Sequence, residues 1–254
     1  MQRNLAYHVY PLPGWRWNID QLRRRLHLFD GRCVVGVVVD EHTEPPEAVQ
    51  EAMPGCETVV LPNNPQLGET VTWGPIWELL RGEPGVTFHA HTKGVSPTHK
   101  EQVVRLGQSG GVPFVREVFW RPATTDTDRQ QTMRLWASIL YSANLDRWLE
   151  VEAMLQDYPI VGAMRTTVTV PSGLSAFAPA WYYAGSFYWV RNSDFFERDW
   201  RSVPQNFYGT ESWQSQAFRI SEAGCVFGAV ARTNNMQTLA YWVGVNRYFS
   251  MLSV

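Results

Sequence analysis

His89, Ala90, His91, Thr92, Lys93 and Gly94 follow directly on a short apolar run, Val86-Thr87-Phe88. β-Branched and aromatic residues fit a buried strand, and Gly94 and Pro97 break the extended run, so an element ends here and a polar site begins. Alternate residues of an extended chain point the same way, which sets His89, His91 and Lys93 on one face. Two imidazoles and an ammonium at that spacing suit an anion, a metal ion or both. Taken singly, each has a plainer reading as a satisfied core histidine or a solvated lysine. Ligands of open α/β sheets bind beyond the carboxyl ends of strands, and that is where these three fall.

Strands and helices must deliver that turn. Asn4 to Pro11 alternates as a first strand, and Ile19, Leu22 and Leu26 around an arginine run read as an amphipathic helix, with Asn18 or Asp20 near its start. Cys33 to Val39 is almost wholly apolar, as a strand covered on both faces is, and it ends at Asp40-Glu41-His42. Pro45 to Met53 reads as a short helix and Glu57 to Leu61 as a third strand. A helix through Trp73, Ile76, Trp77, Leu79 and Leu80 then leads to the fourth strand. This alternation predicts an α/β, Rossmann-like, mostly parallel sheet with helices on both faces.

Beyond the turn, Pro97 to Pro122 carries Gly107, Gly110, Gly111 and Pro113 among basic residues, and reads as a loop excursion, either a plain connection or a segment that closes over substrate. Asp126 and Asp128 form an Asp-x-Asp with no apolar strand before it, which suits helix capping. Residues 128 to 157 read as one interrupted helix or two, Tyr158 to Met164 as a strand, and Thr166 to Ala180 as a loop. Trp181 to Val190 alternates aromatic and small residues around Gly185 and reads as a strand that lets a ligand approach. Thr210 suits a helix cap, with Glu211 in the first turn, where the helix dipole alone favours an acid. One further strand is expected from Cys225.

Composition limits what such a site serves. With 254 residues, 44% hydrophobic and 18% charged, the chain can bury a sizeable core as one large domain or two closely fused ones, and a single domain is the simpler reading. A net charge of −2 gives no general attraction to nucleic acid or anionic membranes. Three cysteines, Cys33, Cys56 and Cys225, have no CxxC spacing and indicate neither a disulfide framework nor a zinc knuckle. No apolar stretch is long enough to span a membrane and no signal pattern opens the chain, so the expectation is a soluble, cytoplasmic protein.

The stretches Pro62 to Glu69 (PNNPQLGE), Phe88 to Gly94 (FHAHTKG) and Trp181 to Arg191 (WYYAGSFYWVR) together resemble GT-A glycosyltransferases, and within them the bacterial HTK-type enzymes related to rhamnan-synthesis proteins. The resemblance implies a GT-A-like fold and sugar transfer from a nucleotide-sugar donor to an acceptor hydroxyl, with a glycan or lipid-linked acceptor and a modified nucleobase as the outlying alternative. It divides the single domain into a nucleotide-sugar-binding half (1–98) and an acceptor-binding half (99–254). It implies donor binding by Asn63, Asn64, Glu69, His89, His91 and Lys93, with Asp40 at the second strand end. It also implies a sugar and acceptor pocket from Trp181, Tyr183, Gly185, Ser186 and Trp189. Glu211 resembles the base of inverting members, and Lys93 would stabilise the leaving diphosphate. The chain departs from the wider fold where a metal-holding DxD would stand, because His89-Ala90-His91 occupies that place. Metal dependence therefore stays open, with His89 and His91 as the alternative ligands. Two other readings follow from the same departure: a sugar-nucleotide-binding protein without turnover, and a metallohydrolase on His89, His91 and Asp40.

Overall fold

A computed structural model describes residues 1–92, 100–109, 112–122, 134, 137–167, 180–183 and 185–227. Strand and helix alternate at first: β1 (Arg3–Val9), α1 (Trp15–Arg23), β2 (Cys33–Val39), α2 (Pro46–Ala52), β3 (Glu57–Pro62), α3 (Thr70–Leu79) and β4 (Val86–His91). Next come β5 (Lys100–Ser109) and β6 (Val112–Pro122), and then a helical stretch at 137–141 that passes through a π-turn at Ser142–Asp146 into α4 (Trp148–Asp157). The last described elements are β7 (Ile160–Gly162), β8 (Arg165–Thr167), β9 (Trp181–Tyr183), β10 (Tyr188–Arg191), α5 (Asn192–Glu197), α6 (Gly209–Ala217) and β11 (Ala223–Cys225).

One seven-stranded sheet in the order β11-β7-β10-β4-β1-β2-β3 draws strands from both halves of the chain. β3, β2, β1 and β4 run parallel, β10 runs antiparallel to both β4 and β7, and β11 runs parallel to β7. Parallel strands are buried on both sides, which explains the unbroken apolar reading of β2. One face carries Leu5, Tyr7, Val35 and Phe88 under Ile19 and Leu22 of α1, Val49 of α2 and Val151 and Leu155 of α4. The other carries Ala6, Val34, Tyr188 and Val190 under Trp73 and Trp77 of α3, Phe195 of α5 and Trp213 of α6.

At the amino end the sheet is closed. Asn4, fully buried, donates to the Pro84 and Val86 carbonyls and accepts from the Arg32 amide, tying β1 to the approaches of β4 and β2. At Gly36 in β2, a Cβ would lie 2.5 Å from Thr72 and 2.8 Å from Ile76. The missing side chain lets α3 settle close to the sheet and brings Thr72 against the end of β1.

Several sequence expectations are corrected. β4 runs on through His91 rather than stopping at Phe88, because His89 and His91 keep pairing with Ala6 and His8 of β1. The stretch 97–122, expected as loop, contains an antiparallel hairpin with a register shift between Arg105 and Leu106. Trp181 to Val190 is two strands in different sheets, β9 paired with β8 and β10 in the main sheet. α1 begins at Trp15, so Asn18 is an interior residue of the helix. Lys93, Asp126, Asp128 and residues 228–254 lie outside the described residues. No described helix is long and apolar enough to cross a membrane.

Candidate functional site

Because β10 runs against β4, the turn that precedes it, Gly185-Ser186, arrives where β4 ends. His89 Nδ1 donates to the Ser186 carbonyl (3.0 Å) and His91 Nε2 to the Gly185 carbonyl (2.9 Å). Gly185 has φ 79° and Ser186 has φ 54°, a left-handed pair in which the serine is the unusual member. The two histidines satisfy the carbonyls that this turn leaves without a strand partner.

Around them lies a buried polar network. Glu69, at the start of α3, accepts from the Thr210 hydroxyl of α6, and its other oxygen lies 3.6 Å from His91 Nδ1. With a carbonyl on one ring nitrogen and a carboxylate near the other, His91 meets an acceptor on both sides. Ser186 Oγ lies 3.4 Å from the Thr210 hydroxyl, close enough to donate to it. His8, whose backbone pairs beside His91, meets Thr72 through Nδ1 at 2.8 Å, while the Thr72 hydroxyl donates to the Glu69 carbonyl (3.2 Å). Burial holds His8 down at about 3 and lowers His89 as well, so both are neutral near pH 7. For Glu69 burial pushes upward, but His91, His89, the Thr210 hydroxyl and His8 together hold the carboxyl at about 2, and it stays ionised.

His89 is also part of the core. Its ring lies 5.1 Å from Tyr188 and 6.2 Å from Trp77, both stacked, with the edge of Trp73 at 5.4 Å. This is the plain reading of a satisfied core histidine, and for His89 it holds. Neither His89 nor His91 presents its bonded nitrogen outward for a metal, and among the described residues no group of three or more His, Cys, Asp or Glu is arranged to hold one. Asp40 belongs to a different cluster, so the metal set of His89, His91 and Asp40 does not assemble.

That other cluster sits across the ends of β1, β2 and β3. Tyr10 donates its hydroxyl to Asp40 Oδ2 at 2.6 Å, and Asn63 donates from Nδ2 to the same oxygen at 2.8 Å and to the Tyr10 hydroxyl at 3.0 Å. Asp40 Oδ1 accepts from the His42 amide at 2.9 Å. Burial together with the Asp40 bond pushes the Tyr10 phenol up to about 12, and the same bond holds the Asp40 carboxyl below its ordinary range. All three side chains are half-buried. Thr92 joins the two clusters: its amide donates to the His8 carbonyl (2.9 Å) and its hydroxyl accepts from the Tyr10 amide (3.1 Å).

The remaining expected site residues divide. Asn64 is exposed and spends Oδ1 on the Gln66 amide. Trp181, Tyr183 and Trp189 are at most 2% exposed. Trp181 Nε1 donates to the Phe218 carbonyl, the Tyr183 hydroxyl to the Ile160 carbonyl and Trp189 Nε1 to the Asn144 carbonyl. Trp189 lies on the face opposite the histidines. Among the described residues these aromatics are buried in the core, whereas Gly185 and Ser186 reach the histidines through their carbonyls. Thr210 does not cap α6, since its hydroxyl is turned to Glu69, and Glu211 follows it in the first turn. His8, Tyr10, Thr72 and Thr92 were not expected. The signal for His8, Tyr10 and Thr92 was the recurrence of polar side chains at the ends of adjacent parallel strands, whereas Thr72 comes from α3 and had none. No protein-family model matches the chain, and no curated protein matches it either.

Proposed function

We propose that this chain is a GT-A-like glycosyltransferase that moves a sugar from a nucleotide-sugar donor to an acceptor hydroxyl. The observation that carries the reading is the Tyr10–Asp40–Asn63 cluster, a half-buried carboxylate flanked by a phenol and an amide at the carboxyl edge of a parallel sheet. An acid at the end of the second strand is suited to accept from ribose hydroxyls or a base N–H, and the crevice beyond such strand ends is where nucleotides bind. A second support is the sheet itself, in which a parallel half β3-β2-β1-β4 continues through the antiparallel β10 into strands of the second half. That continuation suits a donor half and an acceptor half built on one sheet.

In this reading the acceptor oxygen attacks the anomeric carbon, the bond from that carbon to the diphosphate oxygen breaks, and the acceptor proton passes to Glu211. Lys93, directly after Thr92, neutralises the charge that gathers on the departing diphosphate. The histidines do not touch substrate. They hold the Gly185-Ser186 turn and, through Glu69 and Thr210, the start of α6, which carries Glu211.

Glu211→Gln keeps size and removes the base. Assayed with uridine, guanosine and thymidine diphosphate sugars, it is expected to fold and bind donor like the parent while transfer falls roughly a hundred- to ten-thousand-fold. Unchanged turnover per folded molecule, with a stability loss of at most about 1 kcal/mol, would assign Glu211 to the helix dipole alone. A parent that binds donor and never turns it over would be a binding protein instead.

A further inference from the structure

Phe207 and Tyr208 are 50% and 62% exposed, and they are the aromatic members of the exposed large apolar side chains among the described residues. Their rings meet edge to face, with centroids 5.3 Å apart. They are not loosely held. Gly68 has φ +55°, and a Cβ there would lie 3.0 Å from the Phe207 ring, so that ring rests directly on the Gly68 backbone. The Thr70 hydroxyl donates to the Asn206 carbonyl (3.0 Å), and Asn206 Oδ1 accepts from the Tyr208 amide (2.9 Å). At Gly209 a Cβ would collide with the Pro204 carbonyl and with Thr70, so the segment is clamped against the start of α3.

The surroundings select the ligand. Neither the Asn63 to Gly68 loop nor Val203 to Thr210 contains Lys, Arg, Asp or Glu, while Asn64, Gln66, Gln205 and Asn206 are exposed amides. Rigid aromatic faces beside neutral amides suit a neutral polyhydroxylated ring, whose C–H face packs on the aromatic and whose hydroxyls take the amides. Phosphates and anionic membranes would call for cations, which these two segments lack. The patch also has a place in the site: one loop begins at Asn63 of the donor cluster, and the other leads within two residues to Thr210 on Glu69.

We infer that Phe207 and Tyr208 form a stacking platform for a saccharide ring, the acceptor in the transfer proposed above, on which this assignment of role rests. The test is a panel of neutral oligosaccharides containing hexoses, N-acetylhexosamines and deoxyhexoses, presented without nucleotide to the parent, Tyr208→Ala and Tyr208→Trp. The parent is expected to bind a subset, Tyr208→Ala to bind it about tenfold more weakly, and Tyr208→Trp to retain it, because the ring face and not the hydroxyl carries the contact. A parent that binds no saccharide overturns the platform, as does parent self-association that Tyr208→Ala abolishes. Saccharide binding without any turnover of nucleotide sugars would leave the platform standing and remove the transferase. Turnover with an unchanged acceptor KM in Tyr208→Ala would remove the platform and leave the transferase.

Discussion

Two polar clusters crown the same sheet edge, and they differ in what their groups have left to offer. In the histidine cluster His8 and His89 are nearly closed to solvent and bond to a hydroxyl and a carbonyl of the protein. Glu69, its side chain 11% exposed, accepts from Thr210 and faces His91. In the Tyr10–Asp40–Asn63 cluster the same kinds of atoms are half-open, with one carboxylate shared by two side-chain donors. Buried polar groups must be satisfied from within and so become structure, whereas half-exposed ones at strand ends remain available to a ligand. The residues most conspicuous in the sequence hold the turn and the start of α6, and in the proposed reading the half-open ones take the ligand.

Glu69 puts the comparison under the greatest strain. Glu69→Ala takes the carboxylate from His91 and the acceptor from Thr210, and loss of one partner of a buried pair typically costs on the order of 3 kcal/mol. Urea denaturation should record that loss. A variant as stable as the parent would mean that the histidine cluster is not structural.

A smaller effect should appear with pH. His8 has its folded value at about 3 against an ordinary 6.5, so the unfolded chain takes up a proton first as pH falls. The stability His8 contributes is present above pH 6.5 and is lost as pH falls from there toward 3. Between pH 6.5 and 5 the loss is on the order of 2 kcal/mol. Glu69, with its folded value at about 2 against 4.5, adds a further loss only below 4.5. His8→Gln keeps a donor for Thr72 and cannot titrate, so its denaturation midpoint should be flatter over that upper window. An equally steep decline would place the titrating group elsewhere, with His89 the next to replace.

How much of this was legible follows from the same contrast. β2 was read to its ends, because a strand buried on both faces can hardly be anything but apolar, and the helix through Trp73 and Trp77 was read because its large residues fall on one face. The hairpin of β5 and β6 was missed. Gly110 and Gly111 suggested loop, yet Ser109 pairs with Val112 across them, and a Gly-Gly pair between extended runs is a hairpin signal. Asp40 and Asn63 were found as polar residues after strands. Tyr10 was hidden inside the end of a strand-like run, and its role depends on Asp40 and Asn63, tens of residues away. The aromatic stretch Trp181 to Trp189 could not be assigned from type alone, since burial separates core from pocket and burial depends on what packs above.

The reading rests on the half-open cluster as the donor site, and a thermal-shift screen of nucleoside diphosphate sugars against the parent and Asp40→Ala tests it most directly. A donor at about a hundred times its Kd should stabilise the parent by about 2.7 kcal/mol, seen as a rise in Tm. Asp40→Ala, which leaves the buried histidines untouched, should fold with nearly the parent's Tm and show little of that rise. Equal stabilisation of both proteins, or no response of the parent to any donor, would contradict the account.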